Sequence, residues 1–366
     1  MPLGLAIDRL SISSNATAKV PLQNSLNCIK CAETATVALN QKDVYCPSCT
    51  ALTSLIEGGL SADKQRKLQL EPFFVTILTS DNANIIKSQT SSLFPYLEST
   101  GHPFAVVHLG LIYDSSAFPT IADFTSSGTC RPSDASSSDL RGWERSGDIN
   151  RLLASCGCAT SRVELKYRLK IRLLARVAEK LGAGKVLLAA TATKLAKRAV
   201  GDVATGRGAQ IAMESALLDR RHSPAVFIRP MREFSAKEVA LYNHLSGLEP
   251  PLLSRAADSE VFYLSVTVPS IQSISDEFVA ELQSGFPSTV STILSSTNKI
   301  QAAATSFAAK NSTSSTSVNC LLCLSVVESL NNLKNKKLCY SCSVIIDEIK
   351  DKKYLPDFLL GSLNNE

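Results

Sequence analysis

The stretch KVLLAATATKLAKRAVGDVATGRGAQIAMESALLDRRHSPAVFIRPMREFSAKEVALYNHLSGL, Lys185–Leu248, decides how the chain is read. It opens on a short apolar run, Val186–Ala190, which predicts a buried parallel strand. Thr191-Ala192-Thr193 turns at the strand's carboxyl end, and a basic helix carrying Lys194, Lys197 and Arg198 leads into the cationic loop Gly206-Arg207-Gly208. A second apolar strand, Ala225–Ile228, ends in Arg229-Pro230-Met231-Arg232. Ligands of open α/β sheets bind outside the carboxyl ends of the strands, so this stretch puts cationic loops at a ligand position. Ser235-Ala236-Lys237-Glu238 then has the spacing of a capping box and predicts a last helix.

Upstream, Phe73–Leu78 and Phe104–Ile112 are apolar, β-rich runs, separated by the turn Thr79–Asn84 and a helical Ile85–Leu97. That order predicts a βαβ unit with a parallel sheet. Residues Asp114–Asn150 are rich in Ser, Thr, Gly and Asp and predict a long loop. Ser161–Leu181 predicts a helix with an apolar stripe of Val163, Tyr167, Ile171, Leu174, Ala178 and Leu181, stopped by Gly182 and Gly184. Arg162, Lys166, Lys170, Arg176 and Lys180 are expected away from that stripe. The α/β domain is thus drawn over residues 71–250. It is preceded by a flexible arm (1–25) and a four-cysteine module (26–60). Val261–Val268 is one more candidate strand, followed by helices in Ile274–Ser284 and Pro287–Ile293, the extension 251–294. A Ser/Thr/Ala-rich linker (295–317) leads to a second four-cysteine module (318–366).

A chain of 366 residues, 45 % hydrophobic, can bury a sizeable core, and its net charge of +5 suits a polyanionic partner without demanding one. No apolar run approaches a membrane span, and the opening MPLGLAIDRLSISSN lacks the layout of a secretory signal. The expectation is an intracellular protein with reduced thiols, so its eleven cysteines call for a role other than disulfides.

Eight of them supply one. Cys28/Cys31 with Cys46/Cys49, and Cys320/Cys323 with Cys339/Cys342, form two pairs of Cys-x-x-Cys turns. Each turn sets two thiolates near one ion, and a second turn completes an all-sulfur tetrahedron with no position left for water. Two structural zinc sites are expected, with iron–sulfur as the alternative. Cys130, Cys156 and Cys158 stay outside this scheme; a low-pKa thiolate at Cys156 or Cys158, just before the long helix, would suit sulfur chemistry, against the plainer reading of incidental loop cysteines. His102, His108, His222 and His244 have no metal or triad spacing.

A nucleotide site after the first strand needs glycines so that backbone amides can reach phosphate. The turn here is Thr79-Ser80-Asp81-Asn82-Ala83-Asn84, with none, so ATP is not expected on this chain. The cations Lys166, Lys170, Lys194, Lys197, Arg198, Arg207, Arg229 and Arg232 are candidates to track an RNA backbone; the alternative is a solvated helix face with ordinary ion pairs.

Taken with LLAATATKLAKRAVGDVATGRGAQ, IRPMREFSAKEVALYNHL and LCYSC, the two cysteine sets make the chain resemble the cytoplasmic tRNA 2-thiolation protein 2 family, over Asn27–Leu360. That resemblance implies a Rossmann-like PP-loop fold, adenine nucleotide α-hydrolase-like. Active PP-loop enzymes carry Ser-Gly-Gly-x-Asp-Ser after the first strand and acidic residues after the strand matching Val186–Ala190; Thr79–Asn84 and Thr191–Thr193 depart from both. The resemblance therefore implies a subunit that is not catalytic by itself. Its complex would 2-thiolate the wobble uridine, as 5-methoxycarbonylmethyl-2-thiouridine, of cytosolic tRNAs for Lys, Glu and Gln. It implies a heterodimer with a catalytic paralogue, cytoplasmic tRNA 2-thiolation protein 1, and sulfur from a thiocarboxylated ubiquitin-related modifier. Two rival readings are an active sulfurtransferase with a persulfide on Cys156 or Cys158, and a zinc-ribbon adaptor that does not touch RNA.

Overall fold

The computed structural model describes residues 73–100, 102–114, 140–248, 269–310, 318–327 and 337–363, with short strands at 37–38, 44–45 and 129–130. β1 (Val37–Ala38) and β2 (Val44–Tyr45) pair antiparallel, Val37 opposite Tyr45. Cys28, Cys31, Cys46 and Cys49 around them lie outside the described residues, as do the expected arm and the expected strand Val261–Val268.

The βαβ unit forms as its pattern predicts. β3 (Phe74–Leu78) leads through α1 (Ala83–Ser99) to β4 (Phe104–His108), and the strands run parallel with Phe74 opposite Phe104 and Leu78 opposite His108. Successive side chains of a strand serve opposite faces. Phe104 and Val106 pack with Ile86, Leu93 and Leu97 of α1, while Ala105 and Val107 join a larger core on the other side. Both faces are covered, which is why β4 reads as an unbroken apolar run.

β4 is shorter than its apolar run, because Leu109–Tyr113 winds into a 3-10 turn. The chain here passes very close to the 140–145 segment: a Cβ on Gly110 would stand 2.2 Å from the Gly142 carbonyl oxygen, and Gly142 itself has φ of +85°. The expected loop Asp114–Asn150 also needs correction at two places. β5 (Thr129–Cys130) adds to β4 in parallel, and α2 (Ser146–Ala154) buries Ile149, Leu152 and Leu153. Its polar opening, Ser-Gly-Asp, hides a short amphipathic helix.

α3 (Ala159–Lys180) is the central helix. Its most deeply buried row is Leu165, Leu169, Leu173 and Val177, two residues beyond Val163 and Tyr167 at its start, while Ile171, Leu174 and Ala178 of the expected stripe are buried as well. Val163 is 39 % exposed, whereas Glu164, Arg168 and Lys170 are buried. The helix ends as predicted: Gly182 has φ of +64°, and the Ala183 amide donates back to the Ala178 carbonyl at 2.8 Å.

A second sheet has the order β6-β8-β7, from β6 (Lys185–Leu187), β7 (Leu218–Asp219) and β8 (Val226–Ile228). β6 and β8 are parallel; β7 runs antiparallel to β8 and was not foreseen. Leu187, Ile228 and Leu218 stand in register on one face, with Leu187 62 % exposed, while Phe227 and Asp219 behind them are buried. The strand predicted to be buried therefore shows one face to solvent. Between β6 and β7 lie α4 (Ala192–Ala204) and the single turn α5 (Ile211–Ser215); α6 (Ala236–Leu245) follows β8 with both arms of the Ser235/Glu238 capping box in place.

α7 (Ile271–Gly285) and α8 (Thr289–Lys310) pack on α4 through Val279, Val290 and Leu294 against Ala192, Leu195 and Ala196. α8 runs on to Lys310, through the first part of the stretch expected to be a linker; its Ala-rich composition favours helix. Last come the antiparallel β9 (Val318–Asn319) and β10 (Val326–Val327), then α9 (Tyr340–Asp347) and α10 (Asp357–Leu363). Leu322, Leu338, Ile345, Ile346 and Leu359 sit in the same core cluster as Leu165 and Leu169 of α3, so this module is part of the α/β body. Among the described residues no helix is long and apolar enough to cross a membrane.

Candidate metal centre and its arginine shell

Cys320 and Cys323 sit in the tight turn between β9 and β10. The Cys320 amide donates to the Ser325 carbonyl and the Leu324 amide to the Cys320 carbonyl, each at 2.8 Å, and Leu324 takes a left-handed φ of +59° to close the turn. Cys339 is the N-cap of α9 and Cys342 lies in its first turn. All four are buried, and their sulfurs lie within 4.8 Å of one another, with Cys323 and Cys339 at 3.6 Å. A tetrahedral ion with metal–sulfur bonds of about 2.3 Å sets its thiolates about 3.8 Å apart. The four donors thus fit a single ion held entirely by protein.

The α/β body supplies what surrounds them. The loop after α4 carries Arg207, whose side chain is fully buried and whose Nη1 and Nη2 lie 3.7 and 3.6 Å from Cys342 Sγ. Gly206, with φ of +74°, offers its carbonyl to Ser341 Oγ at 2.9 Å and ties the loop to the start of α9. Gln210 Oε1 is 3.9 Å from Cys323 Sγ, and Arg172 of α3 feels the charges of Cys320 and Cys323.

Arg207 also belongs to a buried network of charge. Its Nε is 3.1 Å from Glu164 Oε1, an ion pair without hydrogen-bond geometry. Glu164 accepts from Arg168 Nε at 2.7 Å and from Arg198 Nη2 on both oxygens. Arg168 bridges to Glu214, Glu214 to Arg221, and Arg221 with Arg229 to Asp219. Arg198 also reaches Asp202 at 3.3 Å and lies 3.8 Å above the Tyr167 ring. Burial by itself would raise Glu164, but Arg198, Arg168 and Arg207 outweigh it and hold the carboxyl down at about 2. At Asp202 burial wins over Arg198 and lifts the pKa to about 6.

The expected cationic surface therefore shrinks. Lys166, Lys194 and Lys197 are half-exposed on α3 and α4. Lys170, Arg207, Arg229 and Arg232 are buried, and Arg198 is largely covered. Arg229 donates to the Ala216 carbonyl, and Arg232 to the Ser215 carbonyl and Asn298, so their guanidinium groups are engaged inside the fold. Glu164 and Arg168, four residues apart beside Leu165, were the overlooked signal that a charged row faces inward.

Both strand-end turns are satisfied from within. The Asn82 side chain accepts from the Asn84 and Ile85 amides at the start of α1, and Ser80 Oγ from the Asn82 amide. At the second turn, Thr191 Oγ1 accepts from the Lys194 amide and Thr193 Oγ1 from the Ala236 amide. Of the remaining cysteines, Cys156 is buried, which pushes its thiol up to about 12. Cys158 is exposed, caps α3 and has Glu348 Oε2 at 3.2 Å. Cys130 belongs to β5.

A family model described as Cytoplasmic tRNA 2-thiolation protein 2 matches residues 270–335, the span from α7 through the Cys320/Cys323 turn. The protein of that name from Rattus norvegicus is 34 % identical over 180 residues, 49 % of this chain and 33 % of the relative. The one from Danio rerio is 28 % identical over 288 residues, 69 % of this chain and 55 % of the relative. The chain thus spans a third to about half the length of these relatives. Among solved structures, the U34-tRNA thiolase NcsA from Methanococcus maripaludis with its 4Fe–4S cluster aligns with 76 % of this chain and 88 % of its own, at 12 % identity and a TM-score of 0.47. By the family model and the relatives' sequences, this chain is similar to the cytoplasmic tRNA 2-thiolation protein 2 family over part of its length.

Proposed function

We propose that this chain is a non-catalytic, tRNA-facing subunit of the cytoplasmic complex that 2-thiolates wobble uridine, built on a PP-loop-like α/β domain that no longer handles ATP. The observation that carries this reading is the state of the two strand-end turns. A nucleotide needs free backbone amides at a helix N-terminus. Here the Asn82 carboxamide and the Thr191 hydroxyl already take them. The catalytic paralogue, cytoplasmic tRNA 2-thiolation protein 1, would supply ATP chemistry, with sulfur from the thiocarboxylated ubiquitin-related modifier. Lys194 and Lys197, half-exposed on α4, would be the cations of the predicted set to meet phosphate, with Lys166 of α3 beside them in that set.

In this reading Cys320, Cys323, Cys339 and Cys342 hold a structural zinc ion, as do Cys28, Cys31, Cys46 and Cys49. Sulfurs within 4.8 Å of each other favour a single ion at the C-terminal site over a four-iron cluster, which sets inorganic sulfide and iron between its thiolates. The test is pyrophosphate release. The purified chain should release none from ATP with its tRNA, and adding the paralogue should restore thiolation. Robust release by the chain alone would overturn the reading.

A further inference from the structure

We propose that Arg207 is a positioning residue of the C-terminal metal centre, through which the loaded tetrathiolate acts as counter-anion to the buried arginine network of the α/β body. The proposal rests on the metal reading above and not on the tRNA role.

Charge balance comes first. The ion pairs join five guanidinium groups, Arg168, Arg198, Arg207, Arg221 and Arg229, to four carboxylates, Glu164, Asp202, Glu214 and Asp219. At neutral pH that network carries one positive charge in excess. An excess charge in a dry interior needs a partner. The group that ends the network is Arg207, whose two terminal nitrogens face Cys342 Sγ at 3.7 and 3.6 Å. A divalent ion with four thiolates carries net negative charge and supplies that partner at Arg207. Four neutral thiols would leave it uncompensated.

Position comes second. Guanidinium N–H groups donating to a bound thiolate draw charge from sulfur, lower its reactivity towards protons and chelators, and fix the ligand's orientation. Arg207 is well held for that task. Its amide donates to the Asp202 carbonyl at 2.7 Å, its Nε meets Glu164, and Gly206 before it is clamped by Ser341. Only the planar fork of arginine reaches Cys342 and Glu164 together. Metal occupancy and the seating of α3, α4 and the 206–208 loop therefore depend on each other.

The experiment uses the full chain loaded with zinc, and separately with cobalt(II), comparing wild type with Arg207→Lys and Arg207→Met. Zinc release to excess EDTA should be roughly tenfold faster or more in Arg207→Met, with Arg207→Lys between the two. The thiolate-to-cobalt charge-transfer band should shift in both variants, a change that loss of packing alone would not give. Equal release rates and an unmoved band in folded variants overturn the proposal. If Arg207→Met does not fold, Arg207→Lys decides by the same two readings. A wild-type chain that takes up neither zinc nor cobalt overturns both this proposal and the metal reading beneath it; metal uptake that is indifferent to Arg207 overturns this proposal alone.

Discussion

His108, the last residue of β4, holds the loop that follows β3: its Nε2 lies 3.1 Å from the Ser80 carbonyl, and its Nδ1 accepts from the Gly110 amide at 3.0 Å. The ring is fully buried, edge-on to Trp143. Burial draws its pKa from 6.5 to about 4, against the backbone hydrogen bonds at Ser80 and Gly142. The folded state therefore keeps this imidazole neutral. Its contribution is complete above pH 6.5 and is lost as pH falls through about 4. The shift is worth about 3 kcal/mol. Asp202, raised to about 6, acts in the opposite sense, since its contribution is present below 3.8 and lost as pH rises through 6. Urea unfolding of wild type and His108→Gln from pH 7 to 4 separates the two: the variant should show the flatter acid limb, and parallel curves would refute the assignment.

Glu164 is the hub of the buried network, paired with Arg168, Arg198 and Arg207. Glu164→Gln keeps the shape and removes the charge, leaving Arg168 with Glu214 and Arg198 with Asp202 but stripping Arg207 of its carboxylate. Breaking a buried pair from one side costs about 3–5 kcal/mol. The variant is expected to lose that much stability at pH 7. Its deficit should narrow below pH 4.5, as the wild-type carboxyl loses its own contribution towards pH 2. A deficit under 1 kcal/mol, read from chemical denaturation, would mean that the network relaxes around the missing charge.

Asn82 caps α1 with its own side chain, which accepts from the Asn84 and Ile85 amides. Asn82→Ala should cost about 1 kcal/mol, and Asn82→Asp should cost little. Neither should create ATP binding, which equilibrium dialysis with labelled ATP can check. ATP binding in the alanine variant would show that the loop is merely blocked.

Lys194 and Lys197 lie half-exposed on α4, whereas Arg207 is enclosed. Changing both lysines to Glu should weaken tRNA binding by the assembled complex and flatten its salt dependence, with the thermal midpoint near wild type. Unchanged binding at several salt concentrations would remove α4 from the RNA surface. Arg207→Met is expected to do the reverse, costing metal retention and stability before it touches RNA.

Much of this architecture was legible in the residues. The β3–α1–β4 unit follows from two apolar runs at βαβ spacing, and the Ser235/Glu238 cap and the Gly182 stop from local chemistry. The gathering of Cys320, Cys323, Cys339 and Cys342 follows from paired Cys-x-x-Cys turns. The phase of α3 did not, because Glu164, Arg168 and Lys170 are charged yet buried, so periodicity counted them as surface. Nor did the partners of that charge, Arg198 of α4, Glu214 of α5 and Arg207, which itself faces Cys342 135 residues on. Ser/Thr/Ala-rich α8 lacks the charged and apolar alternation that marks an amphipathic helix, and its composition reads equally as linker.

The joining of the C-terminal module to α3 sets an order of events in the cell. Leu165 and Leu169 share a core with Cys320, Cys342 and Ile346, and Tyr113 Oη donates to the carbonyl of Tyr354, 241 residues later. A nascent chain emerging from the ribosome cannot close that core until residues 318–363 are made. Until then the apolar face of α3 stays uncovered, and the fate of the unfinished chain rests with chaperones and proteases.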